Sequence, residues 1–380
     1  MERTSLNSNL RIAAFGFRSI PLRQGCAGAD KFAMELYPRL VRLGHEVIGY
    51  NRLYPGQQKL SDNYEGVKLM NFKTVEKKGF DTLIHSFKCT FHIIFNNTAK
   101  IVHIQNGGNS IWALFLRLAG KKVFVSQDGI DWNRQKWPWY GKIYLKFSTF
   151  LTAYLPNQVI FDNIFAQNLF EKRYNKKFGF IPFGSDVPEF EENIDILEQF
   201  GLMKGGYYLF IGRIIPDKGL HYLIPAFKML KTKKKLVIVG GSPNPSDYEK
   251  KLLLLKNENI LFTGYIYGND SLNLMKHAYC YIQPSDVEGL SPVILNVMGI
   301  GTPIICSDIK ENIYAVGDTA TLFEKGNIES LKSCLEESLL SYETLQIKAS
   351  SAKKRALSLF NWDKVALEHI RVFKGSEKQY

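Results

Sequence analysis

The sequence predicts an α/β protein built from two doubly wound, Rossmann-like parallel-sheet domains. Three observations carry this. At 380 residues the chain exceeds what one hydrophobic core usually serves, so two domains of roughly 150 to 200 residues are expected. Short β-branched and aromatic runs alternate with longer amphipathic segments, the pattern of βαβ units. The rhythm also breaks once, at residues 187–206 (VPEFEENIDILEQFGLMKGG), an acidic stretch ending in Gly205-Gly206 that reads as a linker with a short helix.

In the first half, strands are expected over residues 10–17, 45–52, 67–72, 101–106, 121–128, 158–163 and 179–184. The second half restarts with 207–214, 234–241, 259–266, 280–285, 302–308 and 319–325. Residues 358–375 read as an amphipathic helix with Trp362, Val365, Ala366, His369 and Val372 along one side. The expected division is 1–188, 189–360 and a terminal helix in 361–380 that crosses back to the first lobe. In open parallel sheets ligands bind outside the carboxyl ends of strands, so two facing sheets imply a cleft lined by residues that end strands.

Composition narrows the function classes. Hydrophobic residues at 45% and charged residues at 22% describe a folded soluble protein and exclude disordered, collagenous and coiled-coil classes. Cys26, Cys89, Cys280, Cys306 and Cys334 are odd in number and never in CxxC spacing, which argues against a disulfide framework or zinc ribbon and for a reducing compartment. Neither a secretory leader nor an apolar run long enough to span a bilayer is visible, so a cytoplasmic location is expected. The net charge of +13 lies entirely in the first half: residues 1–188 carry 26 Lys and Arg against 13 Asp and Glu, and residues 189–380 carry 23 against 23. Such asymmetry points to a polyanionic partner, nucleic acid or an anionic membrane surface, with scattered solvating lysines as the alternative.

Three loops at predicted strand ends carry chemistry. The first, GFRSIPLRQGCAGADKF (16–32), has Gly25 and Gly28 ahead of a helix, where small residues let backbone N–H groups approach an oxyanion; plain turn chemistry explains the same glycines. The second, FIGRIIPDKGLHYLIPAF (210–227), sets Arg213 and Lys218 on one strand-to-helix loop, two cations suited to a diphosphate when no metal is present. The third, QPSDVEGLSPVILNVMGIGTPIICSD (283–308), places Glu288 at the mouth of a helix opened by Ser291-Pro292, whose first-turn N–H groups suit a phosphate. Asp286-x-Glu288 resembles a metal pair, but carboxylates beside Arg213 and Lys218 make a metal redundant, so none is expected. Residues 125–147 end a strand with Asp128 and Asp131 and gather Trp132, Trp137 and Trp139, a set suited to sugar stacking, a membrane interface or simple stapling of a helix to the sheet. Of seven histidines only His103 and His221 fall near strand ends or the Lys218 loop, and a structural role is expected for both.

These residues resemble glycosyltransferase family 4, the retaining enzymes of GT-B fold. The segments FIGRIIPDKGLHYLIPAF, FTGYIYGNDSLNLMKHA and PSDVEGLSPVILNVMGIGTPIICSD look like its donor-binding half. RIAAFGFRSIPLRQGCAGADKFAMELYPRLVRLGHEV and DGIDWNRQKW resemble its N-terminal half, closest to a bacterial subgroup that includes rhamnosyltransferases of surface-polysaccharide assembly. The resemblance implies that Arg213 and Lys218 hold the diphosphate of a nucleotide sugar and that Glu288 contacts sugar hydroxyls. Backbone groups at Gly28, Gly212, Leu290, Ser291, Pro292 and Val293 complete the donor site, Tyr265 and Ile266 lie near the base, and Asp128 orients the acceptor hydroxyl. Two positions depart from the family: Asn296 replaces its second acidic residue, which holds the ribose, and Ala27-Gly28 replaces its paired glycines.

The expected function is therefore retaining transfer of a sugar, rhamnose or another hexose, from a nucleotide sugar to a lipid-linked or polysaccharide acceptor, peripheral at the inner face of the cytoplasmic membrane, with no cofactor and no nucleic-acid partner. Two rivals stand beside it. Asn296 motivates a catalytically weak nucleotide- or glycan-binding partner subunit, and the fold also suits a nucleotide-sugar epimerase, which wants paired acid and base groups across the cleft.

Overall fold

The computed structural model describes residues 9–23, 28–59, 61–77, 79–127, 139–185, 190–241 and 245–375. The chain divides into two compact units: Met1–Phe183 with Trp362–Tyr380, and Gly184–Asn361 between them. Charge segregates along this division more sharply than along the halves of the sequence. The first unit carries 30 Lys and Arg against 15 Asp and Glu, the second 19 against 21.

The first unit holds strands β1 (Arg11–Phe15), β2 (Glu46–Leu53), β3 (Asn63–Tyr64), β4 (Val67–Lys73), β5 (Ile101–Gln105), β6 (Lys122–Gln127), β7 (Gln158–Phe161) and β8 (Gly179–Phe180), in the order β3-β4-β2-β1-β5-β6-β7-β8. All neighbours pair in parallel except β3, which turns back on β4. The second unit holds β9 (Tyr207–Ile211), β10 (Lys235–Val239), β11 (Ile260–Gly264), β12 (Cys280–Gln283), β13 (Ile304–Ser307) and β14 (Thr321–Phe323), all parallel, in the order β11-β10-β9-β12-β13-β14. Strand order reverses at β1/β5 in one sheet and at β9/β12 in the other, and ligands bind at such switch points.

Helices cover both faces of these sheets, so the central strands are apolar without alternation: β5, β12 and β13 are buried at every position. In the second unit Leu220, Leu223, Ile224 and Phe227 of helix Leu220–Met229 bury against Tyr208, Phe210, Leu236, Ile238 and Ile282. Among the described residues no helix is long and apolar enough to cross a membrane.

The C-terminal segment departs from the single helix expected over 358–375. One helix ends at Leu359, the chain turns at Phe360 and Asn361, and a second helix runs Trp362–Lys374 within the first unit. Its buried line is Trp362, Val365, Ala366, His369, Ile370 and Phe373, whereas Val372 is only half-buried. Trp362 stacks edge-on against Phe32 and Phe183 at 5.6 and 5.0 Å, and Phe373 meets His103 and Phe124 at 5.2 and 4.9 Å.

His103 sits at the centre of this cluster, hydrogen-bonded to the Tyr37 hydroxyl at 3.1 Å and to Ser126 Oγ at 2.7 Å. Burial holds it well below its ordinary pKa and brings His369 down to about 4. An imidazole depressed on folding contributes stability that is complete above its unfolded value of about 6.5 and is lost as pH falls toward the folded value. The first unit should therefore lose about 3 kcal/mol through His369 alone between neutral pH and about pH 4. Urea unfolding at both pH values checks this, with His369→Phe expected to reduce the difference by about that amount while His103 keeps its own share; equal acid sensitivity in that variant would remove His369 from the account.

Candidate active site

The loops after β9 and β12, the two strands flanking the switch point, are joined to each other at four places. The chain leaves β9 through Gly212, Arg213 and a 3₁₀ turn, Pro216–Lys218, closed by Gly219 at φ +70°. A side chain at Gly219 would put its Cβ 1.8 Å from the Pro284 carbonyl oxygen, so glycine is the residue that lets the two backbones meet. Asp286 N donates to the Asp217 carbonyl at 2.9 Å, and the Tyr222 hydroxyl donates to Asp286 Oδ2 at 3.1 Å. Lys218 Nζ pairs with Glu288 Oε1 at 2.5 Å, and the same oxygen accepts from Ser285 Oγ at 2.6 Å.

That pair brings together two of the residues singled out in the sequence. The Glu288 side chain is 7% exposed and that of Lys218 is 19% exposed, so the charges meet where water screens them poorly. Arg213 lies exposed on the same loop. Asp286 and Glu288 turn to different partners, Tyr222 and Lys218, rather than converging as the metal pair considered from spacing. Nearby, His221 Nδ1 bonds the Tyr248 hydroxyl at 2.9 Å, and burial keeps its pKa below the ordinary value against the pull of Asp286.

Beneath the Glu288 loop runs a buried polar network that the sequence reading missed. Gln283 donates to Asn312 Oδ1 at 2.8 Å and accepts from Ser291 Oγ at 3.2 Å and from the Tyr281 hydroxyl at 3.1 Å. Asn312 in turn holds Ser307, whose hydroxyl donates to the Ser285 carbonyl at 2.5 Å. These groups fix the carboxyl ends of β12 and β13 and so the loop that carries Glu288. The available signal was polar residues closing otherwise apolar strands: CYIQ in β12 and IICS in β13.

Helix Pro292–Ile300 opens on Ser291, whose side chain accepts from Ile294 N, with Pro292 in the first turn. Leu290 and Ser291 are buried; Pro292, Val293 and Asn296 are half-buried. Because the helix begins at Pro292, Glu288 precedes it and lies in the bend. Glu288 and Asn296 therefore stand on a loop and on the helix that follows it, not on one side of a single helix.

After β11, Tyr265 donates its hydroxyl to the Gly241 carbonyl and stacks on Tyr267 at 5.6 Å and 12°, both rings exposed, with Ile266 half-buried between them. Tyr267 was not singled out in the sequence; its place two residues from Tyr265 was the signal. Gly212 N donates to the Val239 carbonyl, and its own carbonyl lies 1.8 Å from where a Cβ on Gly240 would stand.

In the first unit, Gly28 opens helix Gly28–Arg42, and a Cβ there would meet nothing within 4 Å. Asp30, in the first turn of that helix and not foreseen, is buried and accepts from the amides of Arg18 and Ser19. The loop after β1 is thereby tied to the helix by the chain's own carboxylate. Asp128 lies outside the described residues, as do Asp131, Trp132 and Trp137.

Comparison with known proteins adds to this geometry. Residues 178–355 match the family described as "Glycosyl transferases group 1", and residues 92–186 match "Domain of unknown function (DUF1972)". The capsular polysaccharide biosynthesis glycosyltransferase CapM of Staphylococcus aureus is 24% identical over 179 residues, 44% of this chain and 47% of that protein. Protein CapJ of the same organism is 23% identical over 330 residues, 84% of this chain and 80% of that one. Several of the curated relatives match over only about half of their own length. The structure of Anabaena HepE in complex with UDP and glucose superposes with a TM-score of 0.77 at 16% identity, covering 97% of this chain and 100% of that one. The fold is that of the GT-B glycosyltransferases, and the match to the glycosyl transferases group 1 family spans most of the second unit.

Proposed function

We propose that the protein is a retaining glycosyltransferase that moves a hexose, rhamnose among the candidates, from a nucleotide sugar to a lipid-linked or polysaccharide acceptor in bacterial surface-glycan assembly. The observation that carries this reading is the Lys218–Glu288 pair at the β9/β12 switch point, with Arg213 on the same loop. The group 1 match and the capsule and O-antigen relatives support the class of acceptor, and HepE with UDP and glucose supports the class of donor.

The resting pair suggests how the residues act. A diphosphate arriving at the loop competes with Glu288 for the Lys218 ammonium, and its success frees the Glu288 carboxylate to accept hydrogen bonds from sugar hydroxyls. Arg213 and Lys218 then hold the negative charge that grows on the leaving diphosphate, where stabilisation lowers the barrier. The departing phosphate oxygen takes the acceptor's proton on the same face, which gives retention without a protein nucleophile. The Tyr265–Tyr267 stack serves as a platform for the base. The excess of cations in the first unit supports work at an anionic membrane face.

Incubation with a panel of radiolabelled nucleotide sugars and membrane extract tests the reading: labelled glycan is the expected product, and isomerised donor or no turnover with any donor would reject it. Asn296 favours the second reading, a binding subunit, and Asn296→Glu separates the two. In an enzyme the substitution keeps activity and tightens nucleotide binding by about 1 kcal/mol, as a ribose hydrogen bond becomes charge-assisted. An inert wild type with activity gained in Asn296→Glu would make the natural protein the binding subunit; titration calorimetry with nucleoside diphosphates reads the affinity in both.

A further inference from the structure

Two helices of the first unit have their polar and apolar faces reversed relative to a helix that meets water. In helix Trp139–Tyr154 the buried side carries Leu145, Ser148, Thr149, Thr152 and Ala153. Its outward side carries Trp139, Tyr140, Ile143, Phe147, Phe150 and Tyr154, between 44 and 75% exposed. In helix Phe80–Phe95 the buried side carries His85, Ser86, Cys89, Thr90 and Ile93, while Phe80, Phe87 and Phe95 are exposed. The inward hydroxyls have a definite task. Ser148 Oγ and Thr152 Oγ1 donate to the Gly107 carbonyl at 2.6 and 3.3 Å, and Ser86 Oγ donates to Asn109 Oδ1 at 2.9 Å. Both helices thus grip the Gly107–Asn109 turn that follows β5 with their polar sides and leave their aromatic sides outward.

Helix Ile111–Leu118 touches both and extends the outward array. Phe87, Phe91 and Phe95 follow one another at 4.6 and 5.8 Å, Trp112 lies 5.7 Å from Phe87, and Phe115 lies 6.2 Å from Phe91. A water-facing helix exposes its polar side, so this reversal needs a non-aqueous neighbour.

We propose that these outward faces form the docking surface of the first unit for an anionic lipid bilayer, with the aromatic side chains inserted at headgroup depth. Charge complementarity selects that occupant. No Asp or Glu occurs between Asp81 and Asp128 or between Asp131 and Asp162, while Lys88, Arg117, Lys142 and Lys146 lie on the three helices. Phe, Trp and Tyr interleaved with Lys and no carboxylate is the composition of an interfacial segment. A second copy of the chain fits poorly, because an isologous contact would set the same cations against each other, and Asp81, the acid in the first turn of helix Phe80–Phe95, is already paired with Arg52 at 2.8 Å. The inference rests on the reading that the protein works at a membrane and is independent of the donor chemistry.

Co-sedimentation of the full chain with phosphatidylglycerol/phosphatidylethanolamine vesicles tests it. Binding is expected, weakened by salt but not abolished, since inserted rings are not screened. The double variants Phe147→Ser/Phe150→Ser and Phe87→Ser/Phe95→Ser should each lower the partition coefficient about tenfold or more and remove the salt-resistant part. Because the replaced rings are exposed, both variants should keep the wild-type melting temperature and wild-type UDP affinity. Unchanged vesicle binding in the variants, or wild-type binding released completely by salt, would overturn the proposal. So would a concentration-dependent dimer that both variants dissolve. Vesicle binding that the variants lose in a protein unable to bind any nucleotide sugar would uphold this surface and reject the glycosyltransferase reading instead.

Discussion

Arg213→Ala and Lys218→Ala should each lower turnover by two to three orders of magnitude, the effect of removing one charge-assisted contact to a developing oxyanion, about 3 kcal/mol. The two variants should part company in stability. Arg213 is exposed, and its removal costs little. Lys218→Ala leaves the carboxylate of Glu288, 7% exposed, with Ser285 as its remaining hydrogen-bond partner. An uncompensated, largely buried charge costs about 2 kcal/mol or more, so this variant should melt several degrees lower. Combining Lys218→Ala with Glu288→Gln should return most of the lost stability and none of the activity, because the amide no longer carries a charge and the sugar contact is gone as well. Steady-state kinetics beside thermal melts reads both quantities. Full activity in Arg213→Ala and Lys218→Ala would remove the diphosphate from this loop, and a Lys218→Ala protein as stable as wild type would mean that the pair contributes nothing at rest.

Gly219→Ala should be among the most damaging single methyls in the second unit. The added carbon would stand 1.8 Å from the Pro284 carbonyl oxygen at a residue with φ +70°. The left-handed conformation alone costs a non-glycine residue about 1 kcal/mol, and forcing apart two loops rooted on adjacent strands adds to it, for a total of about 3 kcal/mol or more. Gly205→Ala isolates the first contribution, since Gly205 has φ +65° and nothing within 4 Å of its would-be Cβ. The expected order of melting temperatures is wild type, then Gly205→Ala, then Gly219→Ala by a wide margin. Equal losses in the two variants would show that the loops separate readily and that Gly219 serves only its own turn.

Much of this was legible in the sequence because parallel strands under two helical layers are continuous apolar runs, and those runs are visible without periodicity. Thirteen such runs were read, and each holds a strand. Their ends were read too long where apolar residues continue past the last pairing: 179–184 was expected as a strand, but pairing stops at Phe180 and Phe183 goes on to meet Trp362. β3 was missed because two residues carry no pattern; the Glu65-Gly66 turn at φ 46° and 86° was its signature. In the site, Arg213, Lys218 and Glu288 stood out because each follows a strand in a loop with a chemical reason to be there, and Tyr265 entered through the family resemblance. Their partners did not. Lys218 rests on a carboxylate 70 residues away, and neither Gln283 nor Asn312 differs by type from any other polar residue until the fold brings them within 2.8 Å. The phase of the last helix was also misjudged by one position: Val372 was expected inward, and Phe373 is the residue that reaches Phe124.

The chain order of the two units has a consequence for synthesis. Gly184–Asn361 interrupts the first unit, whose last helix returns after it to cover Phe32, His103 and Phe124. On the ribosome the domain that is begun first is therefore finished last, while the interrupting domain leaves the exit tunnel with all its strands and can fold as a unit ahead of it. Until Trp362 and Phe373 emerge, aromatic surface on the nascent first sheet stands uncovered, and a pause in translation after Asn361 would hold the chain in that aggregation-prone state.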